Sequence, residues 1–141
     1  MTHSWQFWAL ISAVFAALTA IFGKLGVANI NSDFAMLIRT VVILFVLVGI
    51  VTATGQWQRP DEISLRTWVF LTLSGLATGA SWIAYFRALK LGNASQVAPI
   101  DKLSIVLVAI FGVLVLGEKL SLAHWAGVGM IAGGALVLAV F

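Results

Sequence analysis

The amino-acid sequence predicts an all-α membrane protein, a bundle of about five transmembrane helices, and three observations lead there. Hydrophobic residues make up 62% of the chain and charged residues 9%, whereas a typical soluble domain carries about 25% charged residues. A water-soluble fold of 141 residues has no way to hide that much apolar surface. The apolar residues also gather into stretches near the length that a membrane demands, since crossing a hydrocarbon core of about 30 Å takes roughly 20 residues at 1.5 Å each. Polar residues collect in the gaps between these stretches, leaving room for short connections and for no separate soluble domain. Residues 1–141 are expected to form one transmembrane domain.

The first span is expected over residues 5–23, with Trp5, Phe7 and Trp8 where interfacial aromatic belts lie, and it ends at Lys24 and Gly26. No Lys or Arg precedes this apolar run, so it reads as a retained helix and not as a secretory signal. The second span covers 34–54. Asn31, Ser32 and Asp33 precede it, and each is a residue type that caps orphan helix N–H groups. Residues 55–65, with Gln56, Gln58, Arg59, Pro60, Asp61 and Glu62, form the longest polar stretch, and Pro60 resists helix continuation, so this is the clear extramembrane loop. The third span covers 68–86 and is followed by Arg87 and Lys90, whose stems reach the headgroups. Gly92, Asn93, Ala94 and Ser95 make a tight turn. A fourth span covers 96–116 with Pro99, Asp101 and Lys102 near its start, then Gly117, Glu118 and Lys119 turn the chain. Ser121 is placed to cap the fifth span, 122–141.

The formal charge of +3 would hint at nucleic acid in a soluble protein. Here the eight Lys and Arg stand singly at helix ends, and no nucleic-acid partner is expected. With no cysteine there is no disulfide framework and no thiolate metal or redox site. His3 and His124 are too far apart in sequence to suggest a metal site, and no cofactor is expected. Gly127, Gly129 and Gly133 lack the spacing and the preceding strand of a dinucleotide fingerprint. The stretch from Gly79 to Ile83 lacks the second glycine of a nucleophile elbow. No pairing of nucleophile and base marks an enzyme.

Small residues recur every fourth position: Ala9, Ala13 and Ala17 in the first span, Gly75 and Gly79 in the third, Gly129 and Gly133 in the fifth. Lipid supplies no hydrophobic drive between helices, so close backbone approach through small residues is how they associate, and the four glycines are the expected helix-packing positions. An odd number of spans puts Arg59, Arg66 and Lys119 on one face and Lys24, Arg87 and Lys90 on the other, which barely instructs orientation. The embedded Arg39 and Lys102 would tip the second face. A chain so weakly directed is expected to insert both ways, and two opposite copies would build the inverted repeat of many secondary transporters.

From Tyr85 the chain reads Phe86, Arg87, Ala88, Leu89, Lys90, Leu91, Gly92, Asn93, Ala94, Ser95, then Val97, Ala98, Pro99, and later Leu116, Gly117, Glu118, Lys119, Leu120. This resembles the C-terminal half of an EamA domain of the drug/metabolite transporter superfamily, whose pattern runs roughly A-L-x-x-G-x-A-S-x-V-A-P-I and then L-G-E-x-L. The likeness is specific over 85–120 and extends loosely over the chain. It implies a single-domain member that dimerises, antiparallel, to complete a secondary transporter exporting small metabolites or drugs across the inner membrane. The related small multidrug resistance proteins exchange protons for cationic drugs at a membrane-embedded Glu of their first helix. The first span here has no carboxylate, which leaves that mechanism without its residue.

An ionisable residue at mid-bilayer costs at least about 2.5 to 3.5 kcal/mol, so Asp101 and Lys102 are candidates for substrate binding or proton coupling. On a continuous helix Asp101, Ser104 and Val108 share a face with Gly112. Pro99 has no N–H, which frees the carbonyl near Ser95. A structural ion pair of Asp101 with Arg39, Lys24 or Lys102 stands as the alternative. Trp82 and Tyr85 are candidates for stacking on a substrate, against the plainer reading of packing or interfacial anchoring. Arg39 and Arg87 are candidates for holding a carboxylate. Lys24, Arg39, Arg87, Lys90 and Lys102 outnumber Asp33 and Asp101 at one end of the bundle, and the spare positive charge suggests an anionic or zwitterionic substrate. Glu118 and Lys119 are explained by capping and surface charge. The other class of function is a membrane subunit or scaffold that only associates with a partner.

Overall fold

The computed structural model describes residues 4–141, which form six α-helices, one turn of 3-10 helix and no strand: α1 (Trp5–Val27), α2 (Ser32–Thr54), the 3-10 turn (Pro60–Glu62), α3 (Leu65–Leu91), α4 (Ala94–Asp101), α5 (Ser104–Leu116) and α6 (Leu122–Val140). Since α4 and α5 together make one span, five segments are long and apolar enough to cross a membrane. His3 lies outside the described residues. The first four spans outrun their expected lengths, most of all α3, which starts three residues earlier and runs on through Arg87 and Lys90, while α6 ends one residue short, at Val140. Hydropathy marks the lipid-facing length of a helix and not its hydrogen-bonded length, and long basic stems extend the ends into the headgroups.

The chain forms two compact units. The first holds α1 as far as Lys24 together with the chain from Leu91 onward, so α4, α5 and α6 belong to it. Here α6 packs on α4 and α5. The covered positions are small: Ala20 of α1, Ala109 and Gly112 of α5, and Ala135 of α6. This is the small-residue packing expected where lipid competes equally for large apolar side chains. The Nζ of Lys24 donates to the Gly92 carbonyl at 2.7 Å, tying the end of α1 to the turn before α4.

The second unit, residues 25–90, holds α2, the 3-10 turn and most of α3. Of the three capping candidates, Asn31 caps α2: its side-chain oxygen accepts from the N–H groups of Asp33 at 2.8 Å and Phe34 at 3.2 Å. At the other end Gly55 takes φ +66°, and the N–H of Gln56 reaches back to the Val51 carbonyl, the left-handed closure that glycine makes cheap. Thr40, Thr52, Thr54 and Thr78 each donate to the carbonyl four residues back, which satisfies their hydroxyl protons inside the helix, and the Thr52 oxygen also accepts from the Trp57 indole N–H at 3.2 Å. From Val41 to Ile50 every residue of α2 is exposed, as suits an all-round apolar helix in lipid.

The Leu116-Gly117-Glu118 stretch acquires a local explanation. Gly117 ends α5 at φ +70°, the Glu118 N–H bonds to the Gly112 carbonyl at 3.0 Å, and the Glu118 carboxylate lies beside Gly112. A β-carbon on residue 112 would stand 2.6 Å from Glu118 Oε2, the tip of a flexible chain that can swing aside, whereas one on residue 117 would force an L-residue into the left-handed region at a cost of about 1 to 2 kcal/mol. Gly117→Ala is therefore expected to lower the thermal midpoint in detergent, and Gly112→Ala to change it little. The reverse order would mean that Gly112 and not Gly117 sets this turn.

Candidate functional site

In the second unit, Arg39 stands seven residues into α2, about 10 Å along it at 1.5 Å per residue. Its guanidinium carbon lies 3.1 Å from the centre of the Trp82 ring and 5.6 Å from that of Phe86, both on α3. Trp82 in turn meets Tyr85 edge-on, with ring centres 6.3 Å apart, and Phe86 at 6.2 Å. Positions 82, 85, 86 and 89 follow the three-and-four spacing of one helix face, and Phe86 and Leu89 are its buried members. A desolvated cation over an aromatic face gains about 2 kcal/mol or more, against about 2.5 to 3.5 kcal/mol for setting an Arg at the centre of a membrane helix. The ring stack therefore offsets most of that cost without a carboxylate. Nη1 also rests 3.8 Å from Met36 Sδ, a weak acceptor.

Arg87 is placed differently. Its Nε donates to Asp33 Oδ1 at 2.9 Å and its Nη2 to Asp33 Oδ2 at 2.6 Å, a two-point bond joining the start of α2 to the last turns of α3. The opposed charges also suit the helix ends they occupy, a carboxylate at an N-terminus and a cation near a C-terminus. Lys90 donates to the Ile30 carbonyl beside the same junction. Arg87 thus holds a carboxylate, as its chemistry suggests, and that carboxylate is the chain's own.

In the first unit the Pro99 segment departs from the expected continuous helix. The chain leaves α-geometry at Lys102 and Leu103, where the N–H groups of Lys102 and Leu103 bond three residues back, to Pro99 at 3.1 Å and Ile100 at 2.9 Å. Ile105 and Val106 do the same, to Lys102 and Leu103. Pro99 withholds one N–H and crowds the preceding turn, and the tighter bonds after it rotate the register. The expected strip therefore breaks up: Ser104 and Val108 are exposed, and the covered face runs through Asp101, Ile105, Ala109 and Gly112. Asp101 pairs with Lys102, Oδ2 to Nζ 3.3 Å, with both side chains partly exposed. Of the partners weighed for Asp101, the neighbouring Lys102 is the one the structure pairs with it. Ser121 caps α6, its Oγ accepting from the His124 N–H and meeting the His124 ring at 2.6 Å, so that histidine serves a helix start. Among the described residues there is no cluster that could hold a metal ion.

A β-carbon at Gly75, Gly79, Gly129 or Gly133 would meet no atom within 4 Å. Within one chain these positions have no need of glycine, and Ala135 is the buried small residue of α6.

Sequence comparison gives this geometry its setting. Residues 3–140 match the EamA-like transporter family. A Sinorhizobium chain named "Uncharacterized transporter in cobO 3'region" is 75% identical over 141 residues, all of both chains. A Hamiltonella defensa chain named "Probable 4-amino-4-deoxy-L-arabinose-phosphoundecaprenol flippase subunit ArnE" is 31% identical over 87 residues, 61% of this chain and 76% of that one. A Yersinia pestis chain of the same name is 28% identical over 106 residues, 68% of this chain and 93% of that one. No solved structure matches.

Proposed function

The chain belongs to the EamA-like transporter family, and from that premise we propose that it is a secondary transporter, an exporter of small metabolites or drugs, working as an antiparallel homodimer in the inner membrane. The observation that carries the reading is the family match over nearly the whole of a five-span chain. Helical spans fit an inner membrane, because outer-membrane spans are β-barrels. The open space beside Gly75, Gly79, Gly129 and Gly133 supports assembly. Lipid does not require glycine, whereas the backbone of a second chain does. An ionisable group stacked on aromatic rings inside one span, and a proline-broken helix carrying a carboxylate in another, are the features that transporters use for ligands and coupling ions. The name "flippase subunit" on two relatives favours one variation, in which the second chain is a different protein.

The test is reconstitution of the purified chain alone into liposomes loaded with a defined mixture of amino acids, organic acids, sugar phosphates and quaternary amines. Efflux is followed by mass spectrometry, with and without a pH gradient. At least one class should leave several times faster than from protein-free liposomes. Retention of every class by a folded, dimeric protein would reject self-sufficient transport, and recovery on adding a second membrane chain would establish the mixed assembly.

A further inference from the structure

We propose that Arg39, its guanidinium carbon held over the Trp82 ring, is the docking group for an oxyanion, a phosphate or carboxylate carried by the transported molecule. The inference rests on the transporter reading and names the charge class of its substrate. Six cations stand in or at the ends of these spans; the structure gives four of them oxygen partners, and Arg66, exposed at the start of α3, lies 5.8 Å from the centre of the Phe70 ring. Arg87 is bound to Asp33 and Lys102 to Asp101, while Lys24 donates to the Gly92 carbonyl and Lys90 to that of Ile30. Arg39 takes part in neither ion pair. Among the described residues its contacts are two aromatic faces and a thioether sulfur.

A guanidinium lying over a ring engages it through its π-face, while its five N–H bonds point outward in the guanidinium plane. That edge is the fork that matches the two oxygens of a carboxylate or phosphate. The spare charge sits on a half-buried side chain inside a segment of mean hydropathy 2.8, where an unanswered donor is costly. At 3.1 Å from the ring centre the guanidinium has room only for a plane near parallel to the ring, and Tyr85 and Phe86 hold Trp82 from the edge and the side, so the fork is pre-organised. A cationic substrate would meet this charge directly and be repelled.

The oxyanion has two possible sources, a soluble metabolite or a lipid headgroup, and the experiment separates them. Purified protein in a phosphate-free maltoside detergent is titrated calorimetrically with phenyl phosphate, with phenyltrimethylammonium, and with short-chain phosphatidic acid. Wild type should bind phenyl phosphate and not the ammonium. Arg39→Gln should raise the phosphate Kd at least about tenfold, the loss of one bond to a charged group. Arg39→Lys, which keeps the charge without the fork, should recover part of the affinity. Binding of phosphatidic acid without phenyl phosphate would assign the oxyanion to a lipid. Equal binding of anion and cation by wild type, a comparison that needs no variant to fold, would overturn the proposal. So would an unchanged Kd in Arg39→Gln. Binding is read apart from transport: efflux of a quaternary amine from the loaded liposomes with no oxyanion binding would sink this inference and leave the transporter standing, and oxyanion binding without efflux would do the opposite.

Discussion

Asp101→Asn is expected to stop substrate movement in proteoliposomes while leaving a folded dimer in the membrane. Asp101 is the last residue of α4, seven residues and about 10 Å along that helix, where the chain drops out of α-geometry after Pro99. Its partner Lys102 sits next to it at 3.3 Å, with 53% of the lysine side chain and 37% of the aspartate exposed. A partly exposed pair of this kind contributes roughly 0 to 1 kcal/mol. If the pair were only structural, removing the charge would shift thermal stability slightly and transport would persist. If Asp101 carries the coupling proton or binds substrate, asparagine, which takes up no proton, removes the function outright. The two outcomes differ in kind, so one comparison decides: the rate of efflux under an imposed pH gradient, beside thermal unfolding of the same preparation. Lys102→Gln breaks the same ion pair and calibrates its share of stability. Persistent, gradient-driven efflux from Asp101→Asn would reduce Asp101 to a structural partner.

Much of this architecture was legible in the residues, because a membrane imposes length and composition so strictly. The five spans follow from apolar stretches, the 55–65 loop from its polar run around Pro60, and the caps at Ser121 and within the trio Asn31, Ser32 and Asp33 from side chains able to accept an N–H bond. Three features were out of reach for identifiable physical reasons. The break at Lys102 lies three residues beyond Pro99, and periodicity presumes a continuous helix, so it grouped Ser104 and Val108 with Asp101 and Gly112, whereas the structure leaves the first two exposed. The bond of Arg87 to Asp33 joins residues 54 apart, and nothing local distinguishes a committed arginine from a spare one. Charge counting predicted spare positive charge, but the choice of Arg39 needed its partners in space. One signal for the stack was present: Trp82, Tyr85 and Phe86 share a helix face, which marks α3 as the aromatic side of any pairing with α2.

A single cysteine placed at Gln58 in this cysteine-free chain is expected to react with a membrane-impermeant maleimide from both sides of the membrane, in comparable amounts. Orientation follows the Lys and Arg of short flanking segments. Arg59, Arg66 and Lys119 on one face are matched by Lys24, Arg87 and Lys90 on the other, so neither orientation is preferred by these flanks. Arg39 and Lys102 lie deeper, and retention of such cations is settled by snorkelling and by their stacked or paired partners more than by leaflet charge. With so even a balance, a pair of added lysines should decide the outcome. Gln56→Lys with Gln58→Lys should fix one orientation, and Asn29→Lys with Asn93→Lys the other. Each locked chain alone would place all its copies parallel and should lose transport. Co-expression of the two should restore it, since only the mixture rebuilds the inverted pair. Labelling of the Gln58 cysteine from one side alone, or full transport by either locked chain, would rule out the antiparallel dimer and turn attention to a second, different subunit.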